Sequence, residues 1–277
     1  MLEIASLGSG SSGNATLVRS ASTTLLVDCG FTLKESLKRM ASLEVAPSDL
    51  TAVLISHEHS DHVKGIGPLS RKFGVPIYLT HGTFGRLRDN RLINYELFHA
   101  HAPFTLGDIE VDPFPTPHDA AESCQFVLRN EEVSFVVATD MGVCTPFILN
   151  KLHGVNGLLI ECNYDDDMLR NGPYPPSLQH RIRSNFGHLG NVQAGPVVRA
   201  IDHPALQTVL LGHLSEKNNT ETCARDAVLA SAPNVADRLE VLKQHAASRW
   251  FVLDGQSSDA SAPADVSQQD ANKAASS

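Results

Sequence analysis

The strongest constraint on this chain is the six-residue segment HEHSDH at 57–62, which directly follows an apolar run. Imidazole and carboxylate groups are ligands of Zn²⁺ and of neighbouring first-row divalent ions. In an extended segment His57 and His59 point the same way, and a following helix would turn Asp61 and His62 towards a second ion. Four such groups exceed what one tetrahedral ion that also keeps a water can accept. The spacing therefore predicts two metal ions, against the alternative of a polar loop that is rich in His by chance.

Further candidate ligands follow three other apolar runs. His118 comes after IEVDPF, Asp140 after VSFVV and His213 after TVLL. Open sheets gather their sites at the carboxyl ends of strands, and strands hold ligands rigidly. Taken alone, Asp140 could be a turn or cap residue and His118 a loop His. Together with HEHSDH, these residues complete two metal spheres.

The rest of the chain alternates short apolar runs with turn signals and helix-like segments. The predicted strands cover residues 2–7, 16–20, 25–28, 51–55, 75–80, 109–114, 125–129, 134–138, 158–161 and 208–211. The predicted helices cover residues 32–43, with Thr32 as N-cap, 63–73, 178–184 and 191–201. Early antiparallel strands, followed by strands interleaved with helices, are typical of layered α/β folds with mixed sheets.

The composition of the chain bears on its core, its domain count and its cellular location. With 42% hydrophobic residues among 277, the chain can bury a large core. Residues 254–277 lack aromatic residues and predict a disordered polar tail, which leaves one domain over residues 1–253. The five cysteines form no CxxC pair, which argues against a disulfide scaffold. Because there is neither a basic, apolar leader nor a membrane-length apolar run, we expect a cytoplasmic protein without membrane contact.

HEHSDH with the isolated His118, Asp140 and His213 resembles the metallo-β-lactamase superfamily. More narrowly, the chain resembles the WalJ/YycJ-type branch of metal-dependent double-stranded DNA exonucleases. That likeness is carried by GSGSSGN (8–14), SCQF (123–126), NYD (163–165), GPYP (172–175) and GHLSEKNNT (212–220). The resemblance covers most of residues 1–253 and implies a four-layer αββα sandwich of two mixed β-sheets. One departure is GHLGN (187–191), which has Gly where this branch is expected to have Ser.

The resemblance also implies a role for each candidate ligand. His57, His59 and His118 would hold one metal ion, Asp61, His62 and His213 the other, and Asp140 would bridge them. Two ions so placed lower the pKa of bound water and clamp the oxygens of a phosphodiester. Asp61 is also expected to act in catalysis by orienting the nucleophile. The donors accept Zn²⁺, Mn²⁺ or Fe²⁺, and the sequence does not choose among them.

The charge distribution bears on the substrate. The net charge of −9 is unusual for a general nucleic-acid binder, so DNA would need local basic patches. Residues 62–88 contain five basic residues and no acid, and residues 168–201 contain four Arg, including Arg181 and Arg183, and no acid. We therefore expect Arg181 and Arg183 to bind substrate, against the alternative of solvated helix faces of chance composition.

Two further features have a functional and a structural interpretation. The GSGSSGN loop can cradle a phosphate, with Ser11 and Asn14 contacting substrate, or can be a tight hairpin that needs Gly. His188 lies on a Gly-flanked loop and can donate a proton to the leaving oxygen, or can anchor the start of a helix.

The function implied is a 5′-to-3′ double-stranded DNA exonuclease, although the residues themselves do not indicate polarity. The alternatives are a phosphodiesterase acting on small cyclic or linear esters or on RNA, and a metal-dependent binding or regulatory module without turnover. A β-lactamase is disfavoured by the lack of a secretory signal and of a Cys in the second metal site. Cys29, Cys124 and Cys162 are expected to be core or loop residues. The sequence does not predict an oligomeric state.

Overall fold

The computed structural model describes residues 1–255, which form two β-sheets packed face to face. Apart from its first two residues, the predicted tail at 254–277 lies outside the described residues. Within residues 1–255, no helix combines the length and the apolar character needed to span a bilayer.

Fourteen strands lie within the described part of the chain. They are β1 (Leu2–Gly8), β2 (Ala15–Arg19), β3 (Thr24–Val27), β4 (Ala52–Leu54), β5 (Ile77–Thr80), β6 (Tyr95–Phe98), β7 (Phe104–Leu106), β8 (Ile109–Pro115), β9 (Cys124–Arg129), β10 (Ser134–Ala138), β11 (Gly157–Glu161), β12 (Thr208–Gly212), β13 (Leu239–Val241) and β14 (Phe251–Leu253).

Nine α-helices lie in the same residues. They are α1 (Leu33–Ser42), α2 (Ser60–Val63), α3 (Ile66–Phe73), α4 (His81–Arg86), α5 (Pro146–Leu152), α6 (Asp166–Asn171), α7 (Pro176–Arg183), α8 (Asn191–Ile201) and α9 (Glu221–Ser231). Two 3₁₀ turns cover Pro47–Asp49 and Pro233–Arg238. The Thr32 hydroxyl accepts a hydrogen bond from the backbone N–H of Glu35 and caps α1, as predicted.

Both sheets are mixed, as predicted. The first has the order β14-β1-β2-β3-β4-β5-β6, antiparallel from β14 to β3 and parallel from β3 to β6. The second has the order β13-β12-β11-β10-β9-β8-β7, parallel from β13 to β10 and antiparallel from β10 to β7. Parallel strands thus bring several carboxyl ends to one edge of each sheet.

The core between the sheets follows from the two-residue period of the strands. In β9, Phe126 faces the other sheet while Val127 faces the outer helices. In β10, Phe135 and Val136 divide in the same way. Because both faces are buried, these strands are apolar at nearly every position, and each fully buried large side chain contributes about 1.5–3 kcal/mol.

Helices cover the outer face of each sheet. Met40 of α1 and Leu69 of α3 pack on the first sheet, and Ile148 of α5, Val198 of α8 and Val228 of α9 pack on the second. The layer order is helix, sheet, sheet, helix. The predicted αββα sandwich is therefore confirmed.

The predicted elements differ from the structure mainly where segments are short. All ten predicted strands are present with small shifts at their ends, but the sequence did not predict β6, β7, β13 and β14. The helix predicted at 63–73 is present as α3 but begins only at Ile66, because the chain forms the separate short helix α2 before Gly65. A Cβ at Gly65 would lie 2.6 Å from Cys29 Sγ and 2.6 Å from the Phe31 carbonyl oxygen, so this close approach requires glycine.

Cys29, Cys124 and Cys162 are buried in the core, as expected. Burial raises the pKa of Cys29 to about 11 and raises the pKa of Cys124 and Cys162 further. We predict that these three thiols resist Ellman's reagent in the native protein at pH 8, because little thiolate forms and access is blocked. All five thiols should react in guanidinium, and rapid native reaction of more than two would contradict this packing.

Candidate metal centre

The predicted ligands meet where strand ends from both sheets come together. His57 lies three residues after β4, and α2 then carries Asp61 and His62. His118, Asp140 and His213 follow β8, β10 and β12. The structure thus brings together all seven residues predicted to hold metal, which are His57, His59, Asp61, His62, His118, Asp140 and His213.

His57, His59 and His118 form the first donor set. One ring nitrogen from each lies within 4.8 Å of the others. Nε2 of His118 is 3.2 Å from Nδ1 of His59. Donors at ordinary zinc–ligand distances and tetrahedral angles stand about 3.4 Å apart. The set therefore has the spacing of three ligands to one ion.

Asp61, His62 and His213 form the second donor set. Oδ2 of Asp61 lies 3.5 Å from Nε2 of His62 and 3.4 Å from Nε2 of His213. Asp140 lies between the two sets, because its Oδ2 is 3.1 Å from Nε2 of His62 and its Oδ1 is 3.7 Å from Nε2 of His118.

Several donor atoms at the centre have unmet bonding capacity. Nε2 of His57, Nε2 of His213 and Oδ2 of Asp140 are buried and form no hydrogen bond with any residue in 1–255. A buried polar atom without a partner costs about 1–3 kcal/mol, so three in one place require an explanation. A bound cation supplies one, since imidazole nitrogen and carboxylate oxygen are its natural ligands. The residues fit a divalent-metal site.

Hydrogen bonds fix the orientation of the ligating imidazoles. Nδ1 of His62 is 2.8 Å from Oδ2 of Asp28, and Nδ1 of His118 is 2.9 Å from the carbonyl oxygen of Gly187. Since both acceptors take a proton from Nδ1, the Nε2 atom of each ring is left with its lone pair towards the centre. The backbone N–H of Ser56 donates to Oδ1 of Asp28 at 2.9 Å, and its hydroxyl lies 2.9 Å from Oδ2, so Ser56 holds this carboxylate in place.

Glu161, at the end of β11, is a functional candidate that the sequence analysis missed. Its Oε1 lies 2.7 Å from Nδ1 of His188 and 3.0 Å from Nδ1 of His213. Its Oε2 accepts the backbone N–H groups of Met141 and Leu189, each at 3.0 Å. This fully buried carboxylate therefore positions a metal-ligand candidate and His188 together. The signal was present, since Glu161 is an acid that ends the apolar run GLLIE.

The backbone is strained at the same place. Among the described residues, four that are not glycine have φ near +55°, and Asp28, Asp140 and His213 are three of them, at 61°, 51° and 55°. Each such conformation costs about 1–3 kcal/mol and persists where the surrounding structure enforces it. Strain at three positions of one cluster is typical of a functional site.

The charges of the cluster also favour cation binding. Burial lowers the pKa of His57 and His118, so both imidazoles are neutral and available as ligands at pH 7. Burial opposes ionisation of Asp61 and Asp140, but His62 and His213 hold the pKa of both carboxyls below the ordinary range. The carboxylates are thus ionised and His57 and His118 are neutral, whereas, against the effect of burial, the same carboxylates raise the pKa of His62 and of His213, so a divalent ion bound there would displace a proton from each ring.

Comparison with known proteins agrees with this geometry. The family described as a β-lactamase superfamily domain matches residues 23–214. The chain belongs to the metallo-β-lactamase superfamily. It is 34% identical over 225 residues to exodeoxyribonuclease WalJ of Streptococcus pneumoniae serotype 2 (strain D39 / NCTC 7466), covering 79% of this chain and 83% of that protein. It is 35% identical over 237 residues to exodeoxyribonuclease YycJ of Bacillus anthracis, covering 82% and 88%.

A solved structure shows the same superfamily fold. The metallo-β-lactamase fold protein YhfI from Bacillus subtilis superposes with a TM-score of 0.70 at 20% identity, covering 89% of this chain and 98% of that one. The predicted resemblance to the superfamily and to its WalJ/YycJ-like members is confirmed.

The metal centre of this metallo-β-lactamase superfamily protein opens into a wide cleft of about 750 Å³. Donor residues from both sets and His188 line it, as do three basic residues, Lys64, Arg88 and Arg181. Lys64 and Arg88 belong to the first acid-free window and Arg181 to the second. Two carboxylates outside the donor sets, Glu58 and Asp89, also line the wide cleft, which therefore combines the metal donors with side chains of both charges.

The four residues predicted to bind substrate, Ser11, Asn14, Arg181 and Arg183, do not all lie on the wide cleft. Ser11 is exposed and lines the wide cleft, as does Arg181, whose Nε is 2.5 Å from Oδ2 of Asp119. Arg183 instead pairs with Asp166 at 3.3 Å and does not line the wide cleft.

Asn14 lies behind the metal donors. It is buried, and its Nδ2 is 3.5 Å from Oδ2 of Asp61 and 3.3 Å from Nε2 of His62. The GSGSSGN loop joins antiparallel β1 and β2, which agrees with the hairpin interpretation. A Cβ at Gly10 would lie 2.9 Å from the carbonyl oxygen of Leu214, so the loop needs glycine for packing.

Proposed function

We propose that this protein is a dinuclear metal-dependent exonuclease that degrades double-stranded DNA from 5′ to 3′. The observation that carries the proposal is the pair of three-residue donor sets with Asp140 beside both, at the wall of a cleft that also carries Lys64, Arg88 and Arg181. The relatives named exodeoxyribonuclease match 79% and 82% of the chain at 34% and 35% identity, which supports DNA as the substrate.

Two ions fit better than one because seven donors surround the centre. Each set offers three ligands, and Oδ1 of Asp140 lies between the sets, 3.7 Å from Nε2 of His118 and 3.4 Å from Nε2 of His213. Zn²⁺, Mn²⁺ and Fe²⁺ all suit this mixture of imidazole and carboxylate. Divalent ions held here would supply a water activated at neutral pH and would neutralise charge on a phosphodiester.

In this proposal His188 would donate a proton to the leaving oxygen. Its Nδ1 is engaged by Glu161 at 2.7 Å, which leaves Nε2 for the substrate. Burial opposes protonation, but Glu161 and Asp140 raise the pKa of His188, so the protonated donor persists at neutral pH. Asp61 lies on the wide cleft with 22% of its side chain exposed, where its carboxylate can orient the nucleophile.

A cytoplasmic location belongs to the same proposal. All five cysteines are free, which suits a reducing compartment.

The basic residues of the wide cleft give a testable signature of polyanion binding. The double substitution Lys64→Ala with Arg88→Ala should weaken duplex binding and reduce the slope of log K against log[salt] by about 1–2, since each phosphate contact contributes about 0.9. Hydrolysis of a small diester should be unchanged. Fluorescence anisotropy between 50 and 200 mM salt measures this. Arg199→Ala, on the exposed face of α8, is the control. An unchanged slope in the double variant would place the DNA elsewhere.

Activity itself is tested with protein reconstituted separately with Zn²⁺ and Mn²⁺. End-labelled duplex DNA, single-stranded DNA, RNA and bis-p-nitrophenyl phosphate are offered to each form. Stepwise shortening of the duplex from its 5′ ends supports the proposal. Turnover of RNA or of the small diester alone would overturn it in favour of another phosphodiesterase, and metal binding without turnover would indicate a binding module.

A further inference from the structure

A second, smaller cavity lies beside the metal centre. It has a volume of about 160 Å³ and is lined by residues that include Ser11, Asn163, Tyr174, Leu178, Arg181 and Ser215. We call it the end cavity. It shares Ser11, Arg181 and His188 with the wide cleft, so the two spaces meet at the residue placed to protonate the leaving oxygen.

The walls of the end cavity include residues of four sequence segments that carry the family resemblance, at positions other than the metal donors. Ser11 belongs to GSGSSGN, Asn163 to NYD, Tyr174 to GPYP and Ser215 to GHLSEKNNT. These segments lie between residues 8 and 220, and each contributes one residue to the same small space. Their convergence suggests a built recognition site.

The lining has an apolar side and a polar side. Tyr174, Leu178 and Ile182 belong to one small apolar cluster at the cavity. On the polar side, the Nδ2 of Asn163 donates to the carbonyl oxygen of His213 at 2.9 Å. The amide group of Asn163 still has its oxygen and a second N–H to offer a ligand. An aromatic and aliphatic surface facing a few hydrogen-bonding groups suits a nucleoside, with its flat base and polar edges.

The size and the boundary of the end cavity limit what can enter. Its volume is well below the about 300–1,000 Å³ of pockets for drug-sized ligands, so it accommodates one nucleoside at most. The Arg181–Asp119 ion pair lies on its wall, and Asp119 is fixed by a hydrogen bond from its backbone N–H to the carbonyl oxygen of Phe186. The wide cleft, by contrast, is about 750 Å³ and carries the additional basic groups Lys64 and Arg88.

We infer that the end cavity receives the terminal nucleoside of the DNA strand, while the rest of the strand follows the wide cleft. This inference rests on the proposed nuclease function and explains why the enzyme would remove one nucleotide at a time. A strand placed in this way has its terminal phosphodiester beside His188 and the metal donors. Tyr174 and Leu178 then select for a base at the terminal position.

Terminal abasic DNA tests the inference directly. Duplexes carrying a tetrahydrofuran residue at the 5′ terminus, at the 3′ terminus or at the third position are compared with unmodified duplex. Wild-type protein should release a terminal abasic residue about 10-fold more slowly than a normal nucleotide, because one base-stacking contact is lost. The end that shows the effect also gives the polarity. Equal rates on all four duplexes would overturn the inference.

A second test of the inference is the Leu178→Trp variant, which fills the end cavity. Its KM for unmodified duplex should rise about 10-fold and its preference for a terminal base should disappear, while hydrolysis of methyl p-nitrophenyl phosphate stays unchanged. Tyr174→Ala removes the aromatic wall and should abolish the same preference. This variant tests the inference even if Leu178→Trp does not fold. Val252→Trp, on exposed β14, is the matched control.

Three results would count against the assignment of the end cavity. Equal losses on duplex and small diester in both variants would overturn it in favour of a structural role. Full terminal-base preference in both variants would also overturn it. A wild-type protein that hydrolyses the small diester but never shortens DNA would overturn the proposed nuclease function first, and this assignment with it.

Discussion

The Asp140→Asn variant is expected to lose bound metal and to turn over any phosphodiester about 10³-fold or more slowly, since both ions of the proposed dinuclear centre would contribute to catalysis. Asp140 is the carboxylate between the donor sets, with oxygens 3.1 Å from Nε2 of His62 and 3.7 Å from Nε2 of His118. An amide keeps the shape of the side chain but removes its negative charge. Metal content by plasma mass spectrometry and kcat on duplex and small diester measure the effect.

Asp112→Asn is the matched control for this experiment. Asp112 is also buried and paired, with Lys151 at 2.8 Å and Arg129 at 3.1 Å, but it lies in β8 outside the donor sets. Its replacement should lower Tm and leave metal content and kcat unchanged. Two equivalents of metal and full turnover in Asp140→Asn would contradict the ligand assignment, whatever the control shows.

The fold was predictable from the sequence where strands are buried on both faces. Strands such as β10 and β12 are apolar at almost every position, so the apolar run alone identifies them as strands, without knowledge of the strands they pair with. The strands that were missed, β6, β7 and β13 among them, are three or four residues long and partly exposed. Such segments become strands through pairing with a neighbour, and one sequence does not contain that information.

The candidate metal ligands could be predicted from the sequence, but the residues that surround and orient them could not. HEHSDH places four donors in six residues, whereas the groups that orient the donors come from distant segments. Asp28 is 34 residues from His62, and Glu161 is 52 residues from His213. Acid-free windows indicated a basic surface but could not show which side chains reach it, and Arg183 pairs with Asp166 instead. Spacing along a chain identifies neighbours only within one element.

The second large effect is expected at Glu161. Glu161→Gln should lower activity about 10–100-fold, the usual cost of removing the partner of a metal-ligating imidazole. An amide is a poorer acceptor than a carboxylate for two imidazole N–H groups, those of His188 and His213, which lie 2.7 and 3.0 Å from Oε1. Competition with a chelator dye measures the loss of metal affinity that follows from weaker support of His213. The kcat on duplex DNA measures the loss of turnover, to which His188 also contributes.

The pH profile distinguishes this role from a purely structural one. Against the opposing effect of burial, Glu161 helps raise the pKa of His188, so the protonated form of His188 persists to higher pH in the native enzyme. Without the Glu161 charge that pKa falls, and the alkaline limb of kcat should move to lower pH. Glu122→Gln is the control, since Glu122 accepts the backbone N–H of Gly82 at 2.7 Å and touches no metal donor set. A profile that keeps its shape while its amplitude falls would show that Glu161 holds His213 in place but does not tune His188.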